Sequence, residues 1–326
     1  MRKIYAFALF VAMTLLSVSC DRCCNDGKLR LLYWNFQNGM WSGQADNYDA
    51  FVKFVNEQNP DICVWCEAQS IFKTGTAEKC DTADRYLVAN MDKLAARYGH
   101  KYVFIGGHRD NYPQAITSRY PIEGIERIVG AQPDSVVSHG AGWAKIRVAG
   151  RTLNFVTAHT WPQRYTFGLP KDDAARAASA AENGGDHYRR LEIEYITKHT
   201  IATDPNAAEN DWIFLGDLNS RSIVDNELNG HNWPADDTRW LAQNYIIENT
   251  PYVDIVREKH PGVPLSTTYG ASRIDYVYLT PALVPFVKRA DIIKDEYTTP
   301  VKAEGVSNFY YPSDHLPIVV DFDFNK

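Results

Sequence analysis

A layered α/β or α+β fold is the architecture that this 326-residue sequence predicts, and three observations predict it. Apolar strand-like runs alternate with amphipathic helical stretches. The two kinds of element come in mixed order, and no internal repeat, low-complexity linker or charge block marks a second domain. Two packed sheets flanked by helices would accommodate this many strands. A content of 45% hydrophobic and 13% aromatic residues supplies the material for a sizeable core.

At the N-terminus, Arg2 and Lys3 precede an apolar run from Ile4 to Leu16, and small residues follow before Cys20, the layout of a bacterial export signal. The run is short for a permanent membrane span. Leu15-Leu16-Ser17-Val18-Ser19-Cys20 resembles a lipoprotein cleavage site, with Ser17 where an apolar residue is more usual. The expectation is an exported chain lipidated at Cys20, held at the cell envelope, on either its periplasmic or its surface face. Ordinary secretory cleavage or an uncleaved anchor are the alternatives. Residues 1–20 would then be the signal, 21–28 a tether and 29–326 one catalytic domain, with a monomer expected.

Strands are expected at Leu29–Trp34, Ile62–Cys66, Lys101–Ile105, Gln114–Ser118, Gly142–Val148, Thr152–Thr157, Trp212–Leu215, Ile274–Leu279 and Ile318–Phe322. Between them, Tyr48, Phe51, Val52 and Val55 have helical spacing, as do Leu87, Met91, Leu94 and Tyr98 before Gly99, and Tyr188, Leu191 and Tyr195. These stripes are core packing. The stretch Gln163–Gly185 fits neither period and is expected to be a mobile insertion. Cys63-x-x-Cys66 lies in an apolar run with no second pair to complete a zinc site, so buried thiols or one structural bridge is expected.

The chemistry-bearing residues recur just beyond strand ends, where side chains can converge at one edge of a sheet. They are Asn35, Glu67, His159, Asp217 and Asn219 in Gly-Asp-Leu-Asn, Asp275 in Arg-Ile-Asp-Tyr, and Asp314 with His315. Core packing does not require carboxylates, amides and histidines at the ends of six strands. Phosphate-ester cleavage does require a hard cation, a base or aligned water, and donors for developing charge. Oxygen ligands suit Mg²⁺, with Mn²⁺ as a substitute, and cysteine and histidine are too scattered to favour zinc.

Asn35, Pro60-Asp61 leading to Glu67, Ser118-Arg119-Tyr120-Pro121-Ile122, Thr157-Ala158-His159, Gly216-Asp217-Leu218-Asn219, Arg273-Ile274-Asp275-Tyr276 and Ser313-Asp314-His315-Leu316-Pro317 occur together in order. In this the chain resembles the endonuclease/exonuclease/phosphatase superfamily over residues 29–323. The resemblance implies an α+β fold, a four-layered αββα sandwich of two mixed sheets flanked by helices. It implies Glu67 as the principal metal ligand with Asn35 beside it, and Asp314 at the metal or as a histidine partner. Asp217 would orient or deprotonate water, and Asn219 would hold a phosphate oxygen or align the nucleophile. His159 and His315 would donate to the scissile phosphate, and Asp275 would charge His315.

Four further residues are read as substrate contacts. Gln114 stands where relatives carry small residues. Arg119 is either a phosphate contact or a turn residue, and Trp161 and Arg164 either wall the substrate or pack the insertion. The expected activity is hydrolysis of a phosphomonoester or phosphodiester by an activated water. A net charge of −6 lacks the broad basic surface that favours nucleic acid, although a local groove could supply it. A secreted nuclease and a non-catalytic binding lipoprotein are the rival readings.

Overall fold

In the computed structural model the described residues are 26–44, 46–69, 87–107, 112–129, 137–162, 186–270, 272–306 and 308–325. Cys20, Arg164, the segment Gln163–Gly185 and Cys23, Cys24 and Cys80 lie outside them.

Alternation along strand β1 (Lys28–Asn35) sets the layering. Leu29, Leu31 and Tyr33 enter the apolar cluster between two sheets, while Leu32 and Trp34 enter a second cluster on the opposite face. Successive side chains of a strand point to opposite faces, so a strand apolar at every position is one buried on both sides. The first sheet has the order β11 (Val287–Ile292), β14 (Ile318–Asp323), β1, β2 (Ile62–Cys66), β4 (Ala115–Ser118) and β3 (Tyr102–Ile105). The second has the order β5 (Ile122–Ile128), β6 (Ala141–Val148), β7 (Arg151–His159), β8 (Trp212–Asp217), β10 (Asp275–Leu279) and β9 (Val253–Asp254). Both are mixed: β1 with β2 and β7 with β8 are parallel, and the other pairs are antiparallel.

Helices α1 (Asp49–Gln58) and α2 (Met91–Arg97) cover the outer face of the first sheet, where Phe51, Phe54, Met91 and Leu94 pack with Trp34 and Trp65. Helices α3 (Asp186–His199) and α4 (Leu241–Asn249) cover the second, with Ile193, Ile196 and Ile246 against Val156, Phe214 and Tyr278. This is the expected αββα sandwich. A short helix α5 (Ile255–Lys259), a two-stranded ribbon, β12 (Val301–Lys302) with β13 (Tyr310–Tyr311), and short helical turns such as Gln37–Met40 and Thr238–Trp240 lie between these.

All nine expected strands form, with ends shifted by one or two residues. The edge strands β5 and β11 were not expected, because charged residues interrupt both, β5 being largely exposed and β11 exposed at Lys288 and Arg289, which leaves little apolar signal. The stripe on α3 is displaced: Tyr188 is buried as expected, but Asp186, Arg189, Glu192, Ile193, Ile196 and Thr197 are the other buried positions rather than Leu191 and Tyr195. Buried charge is what hid that face from a hydrophobic pattern.

Cys63 and Cys66 are free, buried thiols, which excludes a bridge between them. They enter opposite clusters, Cys63 under the helices and Cys66 between the sheets. Burial raises both thiol pKa values well above the ordinary range, so neither is a ready nucleophile or metal ligand.

Arg273, 2% exposed, donates to Asp225 at 2.6 Å and to Asp254 at 2.5 Å, and its guanidinium lies over the Tyr276 ring at 4.5 Å. It pins the loops that flank β10. Replacing one member of a buried ion network strands the rest without counter-charge. Arg273→Met is therefore expected to cost about 3–5 kcal/mol of stability, measured by denaturant unfolding, whereas a surface change such as Lys53→Met stays within about 0.5 kcal/mol.

Candidate active site

Strand register brings the expected residues to one end of the sandwich. Asn35 pairs with Cys66, so Glu67 follows directly beside it. In the other sheet His159 pairs with Asp217, and Asp217 with Asp275 on the next strand. Because β14 runs antiparallel to β1, with Ile318 opposite Tyr33, the preceding Ser313-Asp314-His315 arrives at the same end. The Ser313 hydroxyl donates to the Asn35 carbonyl at 2.8 Å and the Trp34 indole to the His315 carbonyl at 2.9 Å, fixing that approach.

Hydrogen bonds then join the two sheets. The Tyr33 hydroxyl from the first sheet donates to Asp275 Oδ1 at 2.7 Å, and the other Asp275 oxygen meets His315 Nδ1 at 2.8 Å. Asn35 Nδ2 donates to Asp217 Oδ2 at 2.9 Å and reaches Glu67 Oε1 at 3.3 Å. The Nε2 atoms of His159 and His315 stand 3.7 and 3.8 Å from Asp217 Oδ2. Asn219 donates its backbone N–H to Asp217 Oδ1 at 2.9 Å and its side-chain amide to the Thr160 carbonyl at 3.1 Å.

The backbone is distorted to make this set. Glu67 has φ +60° and Asn219 φ +46°, and Gln37, Asn38 and Met40 are also left-handed. Such conformations cost about 1–3 kcal/mol each and persist only where surroundings over-determine them. Here the Gln37–Met40 turn aims the Asn38 N–H at Glu67 Oε2, 2.8 Å away, and the Gly39 N–H at the Glu67 carbonyl, 2.7 Å away. Gly216 is required by space: a Cβ there would lie 1.9 Å from the Ala158 carbonyl oxygen. That contact is what lets β7 and β8 deliver His159 and Asp217 side by side.

Electrostatics separates the roles. Burial alone would lower the His315 pKa, but Asp275, Asp314 and Asp217 together hold it well above its ordinary value, so the ring is an imidazolium. His159 is pushed well below its ordinary value by burial and then by His139 and His315, so it is neutral. Burial, then the charge of Asp275, pushes Asp217 up out of the carboxylate range. Glu67 is raised by burial and then by Asp314. Crowded, desolvated carboxylates of this kind are relieved by a cation, and an all-oxygen set fits a hard divalent one. Asp217, Asp275 and His315 bring donor atoms within 4.8 Å of one another. In that trio Asp275 is bonded to a positively charged ring, which already offsets its charge, so the trio reads as a hydrogen-bonded charging device; Glu67 and Asp314, both raised by burial and Glu67 further by the charge of Asp314, are the cation-binding side.

The centre opens into a cleft of about 760 Å³ lined by Glu67, His159, Asp217, Asn219, Asp314 and His315, and also by Arg189, Arg221, Arg239, Tyr269 and Tyr310. Three expected substrate residues are placed differently. Arg119 lies at the opposite end of the first sheet, since Ser118 pairs with Ile62. It bonds Asp61 at 2.9 Å and Asn59 at 2.6 Å, so it is the turn residue and not a phosphate contact. Gln114 is 1% exposed and bonds the Tyr112 and His139 carbonyls behind the cleft wall. Trp161, half-buried, stacks on His139 at 6.2 Å and meets Tyr188 edge-on at 6.4 Å, so the structure shows it in a packing role, while Pro162 beside it lines the cleft.

Sequence reasoning missed the support beneath this wall. Glu192, fully buried on α3, accepts from the Ser138 N–H and hydroxyl at 2.8 and 2.5 Å and from the Trp161 N–H at 2.8 Å. Arg189 donates to the Trp161 carbonyl at 2.7 Å and to Asp186 at 3.2 Å. The two loops so held carry His139 and His159, whose rings stack at 4.5 Å. The one available signal was a Glu and an Arg at helical spacing beside apolar residues, which a solvated face gives equally well.

Burial raises the Glu192 pKa from 4.5 to about 7 against the pull of its donors. The folded protein thus keeps a proton that the unfolded chain releases, and stability falls as pH rises between those values. The wild type should lose on the order of 3 kcal/mol relative to Glu192→Gln between pH 4.5 and 7. Denaturant unfolding at intervals across that window measures it; a constant difference between the two proteins would contradict the assignment.

The sequence model of the Endonuclease/Exonuclease/phosphatase family matches residues 32–315. Among solved structures, an AP endonuclease from Archaeoglobus fulgidus has a TM-score of 0.58 at 20% identity, covering 90% of this chain and 99% of that one. A 3'-5' exonuclease from Neisseria meningitidis gives 0.58 at 17%, covering 90% and 100%. The human Nocturnin catalytic domain gives 0.55 at 14%, covering 92% and 94%. At these identities the likeness is one of fold. A comparison with curated proteins gives no match.

Proposed function

This chain belongs to the Endonuclease/Exonuclease/phosphatase family and is a hydrolase of phosphate ester bonds, and we propose that it cleaves a phosphomonoester or phosphodiester by direct attack of water, as an exported protein anchored through Cys20. One observation carries the reading: a buried carboxylate, Asp217, stands between a neutral histidine and a charged one, His159 and His315, on a cleft that also holds Glu67.

A divalent cation, read as Mg²⁺ with Mn²⁺ as its substitute, would be held by Glu67 with Asn35 and Asp314 beside it, and would neutralise phosphate oxygens. Asp217, whose pKa burial and then Asp275 push up to about 8, is a strong base once ionised, a state that a cation bound beside it would favour, and it then takes the proton from the attacking water. The His315 imidazolium, charged by Asp275, donates to a phosphate oxygen as negative charge develops, and neutral His159 donates a weaker bond from the opposite side of Asp217. Asn219, tied through its own amide to Thr160, aligns the nucleophile or a phosphate oxygen. No covalent intermediate is needed, because the described cleft holds no activated serine or thiol.

The net charge of −6 favours a small phosphorylated substrate or lipid headgroup over a polynucleotide. A non-catalytic binding role is disfavoured because ligand capture has no use for a desolvated base beside a charged acid.

The test is hydrolysis by the full chain in detergent, with Mg²⁺, Mn²⁺ or chelator, of plasmid DNA, RNA, sphingomyelin, inositol phosphates and a chromogenic diester. Chelator should abolish turnover, and Glu67→Gln and His315→Ala should each lower kcat by roughly 10²–10⁴-fold. Full activity in either variant would end the proposal.

A further inference from the structure

The cleft has a charge pattern that the hydrolytic machinery does not use. Its carboxylates and histidines sit at the strand ends, while three arginines reach it from the helix-covered side of the second sheet: Arg189 on α3, Arg221 two residues beyond Asn219, and Arg239 just before α4. Two of them have carboxylate partners. Arg189 pairs with Asp186 at 3.2 Å and Arg239 with Asp237 at 2.8 Å. Arg221 has no carboxylate within ion-pair distance among the described residues; it donates to the Ser272 hydroxyl at 2.9 Å.

Arg221 is also held in place. Its guanidinium lies 5.7 Å from the centroid of the Trp233 ring, and that of Arg239 lies over the same ring at 3.8 Å. One indole thus holds two cations near one another, and His231 stacks on Trp233 at 4.0 Å to fix its plane. Partial desolvation in the cleft, and then the like charges of Arg239 and Arg189, work against the Arg221 charge. Like charges collected at a concave surface cost free energy that an anion placed there recovers, and planar guanidinium forks match phosphate oxygens two at a time. Among the described residues Arg221 is bonded to Ser272 and packed on Trp233, and it forms no hydrogen bond or ion pair with Asp217, Asp275 or His315, so its guanidinium is not part of the network that holds the catalytic set.

We propose that Arg221, supported by Arg239, binds a second phosphate of the substrate, so that the ester cleaved is a compact molecule carrying one phosphate at the catalytic centre and another beside it. The proposal rests on the hydrolase reading for the word substrate, but the anion site itself does not.

Calorimetric titration of the full chain in chelator, with pyrophosphate and with orthophosphate, tests the site without turnover. Pyrophosphate should bind the wild type at least tenfold more tightly than orthophosphate. Arg221→Gln should remove most of that advantage, and Arg221→Lys should keep part of it. Equal affinities for the two anions, or an advantage undiminished in Arg221→Gln, overturns the proposal. Turnover gives a second readout. The ratio of kcat/KM for a bisphosphorylated sugar or cyclitol to that for its monophosphorylated counterpart should fall at least tenfold in Arg221→Gln. An equal loss on both would place Arg221 on the scissile phosphate and reject a second site. Preference for a short oligonucleotide over every bisphosphate would reject the compact substrate. Intact, Arg221-dependent pyrophosphate binding with no ester hydrolysed would uphold the site and refute the hydrolase.

Discussion

The bond from the Tyr33 hydroxyl to Asp275 crosses from one sheet to the other, and the active centre depends on it. Asp217 and Asp275 face each other across antiparallel strands, out of water, and would repel one another apart if nothing offset their charge. The first sheet offsets it with two donors that cannot be misplaced without unpacking the sandwich, Tyr33 to Asp275 and Asn35 to Asp217. His315, arriving on the segment before β14, adds the positive charge. Neither sheet alone could hold the set, so catalytic geometry and the seating of the two layers are one constraint.

Behind that constraint stands a second tier of buried polar groups. Asp186 receives the Ser220 hydroxyl at 2.7 Å and the Ala242 N–H at 2.9 Å, linking α3 to the loop after Gly-Asp-Leu-Asn and to α4. Glu192 does the same for the loops of His139 and Trp161. Such groups are costly if left half-satisfied and directional when satisfied, which is how a helix packed on the outside of a sheet governs side chains at its end.

How much of this could be read from the sequence follows from which signals are local. Asn35, Glu67, His159, Asp217, Asp275 and His315 were legible because each polar residue interrupts an apolar run, and a strand end is where such an interruption has to lie. The core strands and the helices α1 and α2 were legible for the same reason, as period-two runs and helical stripes. The edge strands β5 and β11 were not, since their charged residues break the apolar pattern. Arg119 misled because a sequence does not say which end of a strand faces the site; the pairing of Ser118 with Ile62 does. Glu192 and Arg221 were missed because their partners lie in distant segments, and Arg189 and Arg239 because a charge paired with a carboxylate two or three residues away looks like a solvated surface.

The two thiols of β2 carry a last consequence. Cys63 and Cys66 leave the strand toward opposite layers, so no disulfide can join them while the strand exists. Once the strand melts, three residues of separation is a favourable reach, and burial no longer suppresses the thiolates. Under oxidising conditions each opening of the sandwich therefore carries a chance of being made permanent, since a chain closed at those two sulfurs cannot rebuild β2. In such surroundings the pairing of these two sulfurs would work as a ratchet against an unfolding equilibrium that would otherwise run freely both ways.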